Sequence, residues 1–174
     1  EYFFNEKTQK IDTKKSEKLI FPRYHQLNLI KKFRSQIKKD GVGNNYLVQH
    51  TTGSGKSYSI GWLSHTLTSL YQKDGDTKRM FDSIIVVTDR KVLDNQLQKT
   101  IDDLKKNKGV VYPVEKGSSD LKKFLESGKD IIISTIQKFP QISDTISSLG
   151  DKRFAVIIDE VHSSQSGQLS KELK

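Results

Sequence analysis

Apolar positions along the chain fall into two textures. Residues 1–20 are polar and lysine-rich, with Tyr2, Phe3, Phe4 and Ile11 as isolated apolar points, and read as a linker or an extended lead-in. From Tyr24, Ile30, Phe33 and Ile37 fall on one helical face, and Asp40-Gly41 supplies a stop. Five short apolar runs follow: Tyr46–Gln49, Ile84–Thr88, Val110–Tyr112, Ile131–Ser134 and Ala155–Ile158. They are continuous and not alternating, the pattern of strands covered on both faces in a parallel sheet. Helical patterns lie between them: Ile60, Leu63, Leu67, Leu70 and Tyr71; then Leu93, Leu97, Ile101 and Leu104; then Leu121, Phe124 and Leu125. Strand–helix alternation predicts an α/β fold with a mostly parallel sheet between helical layers.

The length of 174 residues suits one domain. The chain has no cysteine, so disulfides and thiolate metal sites are excluded, and four scattered histidines argue against an imidazole-based one. No run approaches the ~20 apolar residues of a membrane-spanning helix. With no secretory-type segment near its start, the chain reads as intracellular. Net charge is +9, and residues 1–40 hold 11 basic against 5 acidic groups. Such a balance suits a polyanionic partner or a solvated lysine surface equally well.

Specific chemistry begins after the first apolar run. His50-Thr51-Thr52-Gly53-Ser54-Gly55-Lys56-Ser57 precedes a helical pattern. The two glycines allow the backbone to curl so that successive N–H groups converge on phosphate oxygens at a helix N-terminus. Lys56 is placed to reach the β- and γ-phosphates, and the Ser57 hydroxyl to take a position on Mg²⁺. His50 occupies the place where the general pattern has its first glycine, either as a catalytic imidazole or as a structural substitution. At the other end, Phe154–Ile158 runs into Asp159-Glu160. A buried strand ending in two carboxylates is the expected partner of a phosphate loop, with Asp159 in the Mg²⁺ shell and Glu160 orienting a water. The glutamate favours ATP hydrolysis over phosphoryl transfer to a small acceptor, although a P-loop kinase stays open as an alternative.

Asp159-Glu160-Val161-His162-Ser163-Ser164-Gln165 resembles the Asp-Glu-Ala-His-Arg-Ser-Gln box of the restriction (motor) subunits of type I restriction-modification enzymes, a branch of the superfamily 2 DExH translocases; Val161 and Ser163 depart from it. Gln49–Ser57 is similar to that family's P-loop, in which histidine commonly stands at the position of His50. Val87-Thr88-Asp89-Arg90 with Leu93, Asp94 and Gln96 looks like its motif Ia. Ser134-Thr135-Ile136-Gln137-Lys138-Phe139 resembles its Thr-Ile-Gln-Lys-Phe motif, and Phe21–Gln26 its adenine-reading segment. The likeness runs from about Phe21 to Gly167.

The resemblance implies a first RecA-like motor domain over residues 24–174 behind a lead-in of residues 1–23. It implies ATP and Mg²⁺ as cofactors, and translocation of double-stranded DNA before cleavage by a nuclease domain elsewhere. Methyltransferase and specificity subunits would be partners, in a bacterial or archaeal cytoplasm. Catalytic residues would be Lys56, Asp159, Glu160, His162 and Gln165. Nucleotide would be held by Gln26 and by Thr51, Thr52, Gly53, Ser54, Gly55, Lys56 and Ser57, and the metal by Ser57 and Asp159. Gln26 could instead be a surface residue at a helix start. Arg90, Thr135, Gln137 and Lys138 would contact DNA phosphates without reading sequence, or be solvated or capping groups. Trp62 is expected in the core. A RecA-like sheet would also require a strand between the P-loop strand and the Asp-Glu strand, so the domain is expected to be incomplete. Another DExH helicase, or a nucleotide- or DNA-binding module without turnover, remains an alternative.

Overall fold

A computed structural model describes residues 2–5, 10–13, 20–73, 75–88, 91–104, 109–115, 117–138 and 149–159. Arg90, Glu160, His162 and Gln165 lie outside the described residues.

The elements in order are β1 (Tyr2–Asn5), β2 (Lys10–Thr13), α1 (Tyr24–Asp40), α2 (Lys56–Thr68), β3 (Ser83–Thr88), α3 (Lys91–Asp103), β4 (Val111–Pro113), α4 (Ser118–Glu126), β5 (Ile131–Thr135), a 3₁₀ turn (Ile136–Lys138) and β6 (Phe154–Ile158). Strands β4-β5-β3-β6 form one sheet in that order, with every pairing parallel. Successive residues of the central strands face opposite sides. Ile84, Val86, Ile131 and Ile133 pack with Ile37 of α1, Ile60, Leu63 and Leu67 of α2, and Leu97 and Ile101 of α3. Ile85, Val87 and Ile132 pack with Leu121 and Leu125 of α4. Both faces of β3 and β5 are therefore covered, which is why their sequences are apolar without alternation. The α/β three-layer expectation holds: the described residues form a four-stranded parallel sheet with four helices, consistent with part of a RecA-like domain.

Helices α2 and α3 approach closely at Gly61. A Cβ there would stand 2.6 Å from Leu104 Cδ1 and 3.5 Å from Ile101 Cγ1. The N-terminal ends of β3, β5 and β6 are tied by charged side chains. Arg79 donates to Asp130 Oδ1 at 2.6 Å and to the Thr68 carbonyl at 3.2 Å. Arg153 donates through its guanidinium to the Arg79 carbonyl at 2.5 Å and through its backbone N–H to Asp82 at 2.7 Å. These polar ties sit at the end of the sheet opposite the strand C-termini, where open parallel sheets bind ligands.

Three expectations need correction. Tyr46–Gln49 is not a strand. Its apolar content fits one, but a strand also needs a neighbour for its ladder. Among the described residues β6 pairs only with β3, and nothing pairs with this run. Tyr46 is held by α1 instead: its ring lies 5.3 Å from that of Phe33 and its hydroxyl donates to Asp40 at 3.0 Å. Leu47 is 92% exposed. Second, β4 begins at Val111 and includes Pro113. Proline lacks a ladder donor, and β4 is an edge strand, where proline is tolerated. Third, the lead-in contains a two-stranded antiparallel ladder, with Tyr2 opposite Thr13 and Asn5 opposite Lys10. Trp62, expected in the core, is half-buried on α2 and belongs to neither buried cluster.

Candidate nucleotide site

The loop before α2 turns sharply. Gly53 and Gly55 have φ of 76° and 81°, the left-handed region that only glycine enters cheaply. Ser54 N–H closes a turn onto the Thr51 carbonyl at 3.2 Å. Gly55 caps α2, and its carbonyl accepts from Tyr58 N–H at 3.0 Å and Ser59 N–H at 3.2 Å. Lys56 and Ser57, both half-buried, then start the helix. The first N–H groups of a helix have no intrahelical acceptor, which makes this turn an anion-binding end. Thr51, Thr52 and Gly53 are exposed beside it.

The outer side of the loop is packed against the start of α1. Gln26 is 3% exposed, and both ends of its amide are engaged. Oε1 accepts from the Arg23 backbone N–H at 2.8 Å, capping α1. Nε2 donates to the Gly55 carbonyl at 3.0 Å and the Ser54 carbonyl at 3.5 Å. The contact is close enough that a Cβ on Gly55 would meet Nε2 at 2.8 Å. Next to it, His25 Nε2 lies 3.0 Å from the Ser54 carbonyl oxygen. His50 Nδ1 lies 3.1 Å from Ser54 Oγ. The two imidazoles meet edge to face with centroids 6.1 Å apart. Partial burial first, then His25 and Lys56, hold the His50 pKa below its ordinary 6.5. Lowering favours the neutral imidazole, and the contact that the ring makes is with the loop's own Ser54.

Asp159 follows β6 directly. Its N–H donates to the Val87 carbonyl at 2.9 Å, continuing the β3–β6 ladder past the strand end. The side chain is 8% exposed, and Oδ1 lies 3.4 Å from Lys56 Nζ. Beyond this ion pair, Oδ1 has no hydrogen-bond partner among the described residues. A buried carboxylate oxygen facing one ammonium beside a helix N-terminus fits a divalent cation carrying a phosphate, because Mg²⁺ takes few protein ligands and fills its shell with phosphate oxygens and water.

The expected DNA contacts separate. Thr135 ends β5 and is 2% exposed. Lys138 is half-buried, and its ammonium donates to the Val114 carbonyl, pinning the 3₁₀ turn to the end of β4. Gln137, between them, is exposed. All three stand at the same end of the sheet as Lys56 and Asp159, and of them only Gln137 is open to solvent along its side chain. The role of His25 was not foreseen. Its position next to Gln26 in the first turn of α1 was the available signal.

A family model for the SWI2/SNF2 ATPase matches residues 25–174. A C-terminal part of a type I restriction enzyme endonuclease subunit from Mycoplasma pneumoniae is 30% identical over 168 residues, covering 87% of this chain and 76% of that protein. A type I restriction enzyme endonuclease subunit of Staphylococcus aureus (strain COL) is 29% identical over 137 residues, 76% of this chain. One from Staphylococcus saprophyticus is 26% identical over 157 residues, 88% of this chain. The chain spans 14% of the length of the S. aureus relative and 16% of the S. saprophyticus one. With the P-loop facing a buried Asp159 on a parallel sheet, the chain belongs to the SWI2/SNF2 ATPase family and, within it, to the restriction subunits of type I restriction enzymes.

Proposed function

We propose that this chain is the part of a type I restriction subunit that binds MgATP and hydrolyses it to drive translocation of double-stranded DNA. The observation that carries the reading is the Lys56–Asp159 pair, 3.4 Å apart, which brings the phosphate loop against a buried carboxylate in one site. MgATP, when bound, supplies the phosphoanhydride bond that is cleaved. The loop N–H groups and Lys56 would hold its phosphates, and Ser57 and Asp159 its metal. Glu160 would orient the water, with His162 and Gln165 completing the catalytic set. This division suits phosphoryl transfer, where positioning and charge stabilisation supply most of the acceleration.

On this reading Arg90, Thr135, Gln137 and Lys138 form the side that meets DNA, and methyltransferase and specificity subunits are the assembly partners, in the cytoplasm of a bacterium or archaeon. Among the described residues β6 has no neighbour beyond β3 and nothing pairs with Tyr46–Gln49, which supports one further strand between them. The test is ATP hydrolysis by the complete polypeptide with and without duplex DNA. DNA-stimulated turnover that Lys56→Ala and Glu160→Gln abolish is expected. Turnover that survives both substitutions would remove the site assignment. DNA affinity should fall steeply as salt rises, because phosphate neutralisation releases counterions.

A further inference from the structure

We infer that His25 and His50 are positioning residues of the phosphate cradle, acting through Ser54 to keep the peptide between Ser54 and Gly55 turned the right way. The inference rests on the nucleotide reading of the loop and names a role for two side chains, one at the loop's first position and one on α1.

A phosphate loop works only while its N–H groups point inward and its carbonyls outward. The Ser54–Gly55 peptide is the weak point, because Gly55 has φ of 81° and no Cβ to resist rotation. A flip of this one peptide would exchange the Gly55 N–H for the Ser54 carbonyl oxygen and present like charge to an anion. The oxygen is held on the outer side by His25 Nε2 at 3.0 Å, with Gln26 Nε2 at 3.5 Å. Gln26 is better placed on the next carbonyl, that of Gly55, at 3.0 Å. The geometry therefore gives the Ser54 carbonyl mainly to His25.

The second grip is on the side chain of the same residue. His50 Nδ1 meets Ser54 Oγ at 3.1 Å and closes the loop across its own base. Ser54 is thus held at two points, its carbonyl by His25 and its hydroxyl by His50, and the two rings meet edge to face with centroids 6.1 Å apart. The chemistry assigns the ring nitrogens. A carbonyl oxygen only accepts, so His25 carries its proton on Nε2. A serine hydroxyl donates or accepts, so His50 engages through Nδ1 in either sense. His25 reaches with the far nitrogen of its ring and His50 with the near one. Glutamine places an amide nitrogen where Nε2 lies; asparagine places an amide group where Nδ1 lies.

That asymmetry gives the experiment, made on the complete polypeptide with two readouts. One is the equilibrium affinity for a fluorescent ATP analogue, with Lys56→Ala as the non-binding control. The other is hydrogen exchange of the 51–57 backbone without nucleotide. His25→Ala and His50→Ala should each weaken nucleotide binding by about three- to tenfold, the effect of one lost hydrogen bond, and should speed exchange of the loop. His25→Gln and His50→Asn should restore both readouts, whereas His25→Asn and His50→Gln should not. Ser54→Ala should mimic His50→Ala, and the double variant should be no worse than either. Alanine variants that match the wild type, or rescue without regard to which amide is used, would overturn the inference. A wild-type protein that binds no nucleotide, with loop exchange still controlled by the histidines, would instead overturn the proposed function and the phosphate half of this inference with it.

Discussion

Lys56 and Asp159 face each other at 3.4 Å, yet the Asp159 oxygen nearest the ammonium makes no hydrogen bond among the described residues. On the proposed nucleotide reading the pair serves a ligand more than stability. Lys56 is 38% exposed and its attraction is screened, so the contact contributes about 1 kcal/mol at most. Asp159→Asn should therefore change unfolding free energy by less than about 1 kcal/mol, while ATP hydrolysis falls by about a hundredfold or more. Lys56→Ala should destabilise more than Asp159→Asn does, since it leaves a buried carboxylate without its cation. Denaturant unfolding alongside ATPase assays checks both. A large loss of stability in Asp159→Asn would show the carboxylate to be structural.

Gln26 separates two roles by nucleotide choice. In this structure its amide is spent on Arg23 and on the loop carbonyls. A Gln26→Ala variant should then lose affinity for ATP and GTP by similar factors, because the loop and not the base is affected. If adenine contact is the dominant role, ATP affinity alone should drop. Gln26→Glu should be the worse variant, as it sets a carboxylate against the carbonyl oxygens of Ser54 and Gly55. Competition binding with the two nucleotides measures this.

Acid pH should loosen the loop through His50. Its folded pKa is lowered, by burial first and then by His25 and Lys56, so the folded state disfavours the proton. The unfolded chain binds that proton more readily. The contribution to stability is therefore complete above pH 6.5, the ordinary value, and is lost as pH falls below it toward the folded pKa. A His50→Asn variant should show a flatter stability profile across that acid window. Parallel thermal melts between pH 5 and 8 would reveal the difference, and identical slopes would remove His50 as the source.

Gly61 tests the α2–α3 contact. The atom that a Cβ would meet at 2.6 Å is the tip of Leu104, which can swing aside. Gly61→Ala should be nearly neutral, because the helix gains about 1 kcal/mol of propensity against the cost of that shift. Gly61→Leu leaves no such escape and should cost about 1–3 kcal/mol of overpacking. Chemical denaturation of the two variants distinguishes them.

The parts of the site that could be read from sequence are those where chemistry demands residue types at fixed spacing. Gly53, Gly55, Lys56 and Ser57 must be contiguous to build a loop onto a helix, and Asp159 must end a strand. The helix from Tyr24 to Asp40 was equally legible, since its period is local. Tyr46–Gln49 was misread because composition reports burial preference, whereas a strand also needs a ladder partner distant in sequence. The short ladder at residues 2–5 and 10–13 was missed because four residues are too few to show a period. The occupation of the Gln26 amide depends on a carbonyl 29 residues away, and no local pattern encodes it.

The exposed side of β6 bears on how the chain behaves in solution. Val156 is 41% and Ile158 38% exposed, and among the described residues the side of Phe154–Ile158 away from β3 has no ladder partner and no charged residue or proline to blunt it. Unpaired parallel edges of this kind template the addition of other chains. A segment with such an edge should self-associate in a concentration-dependent way that dilution reverses.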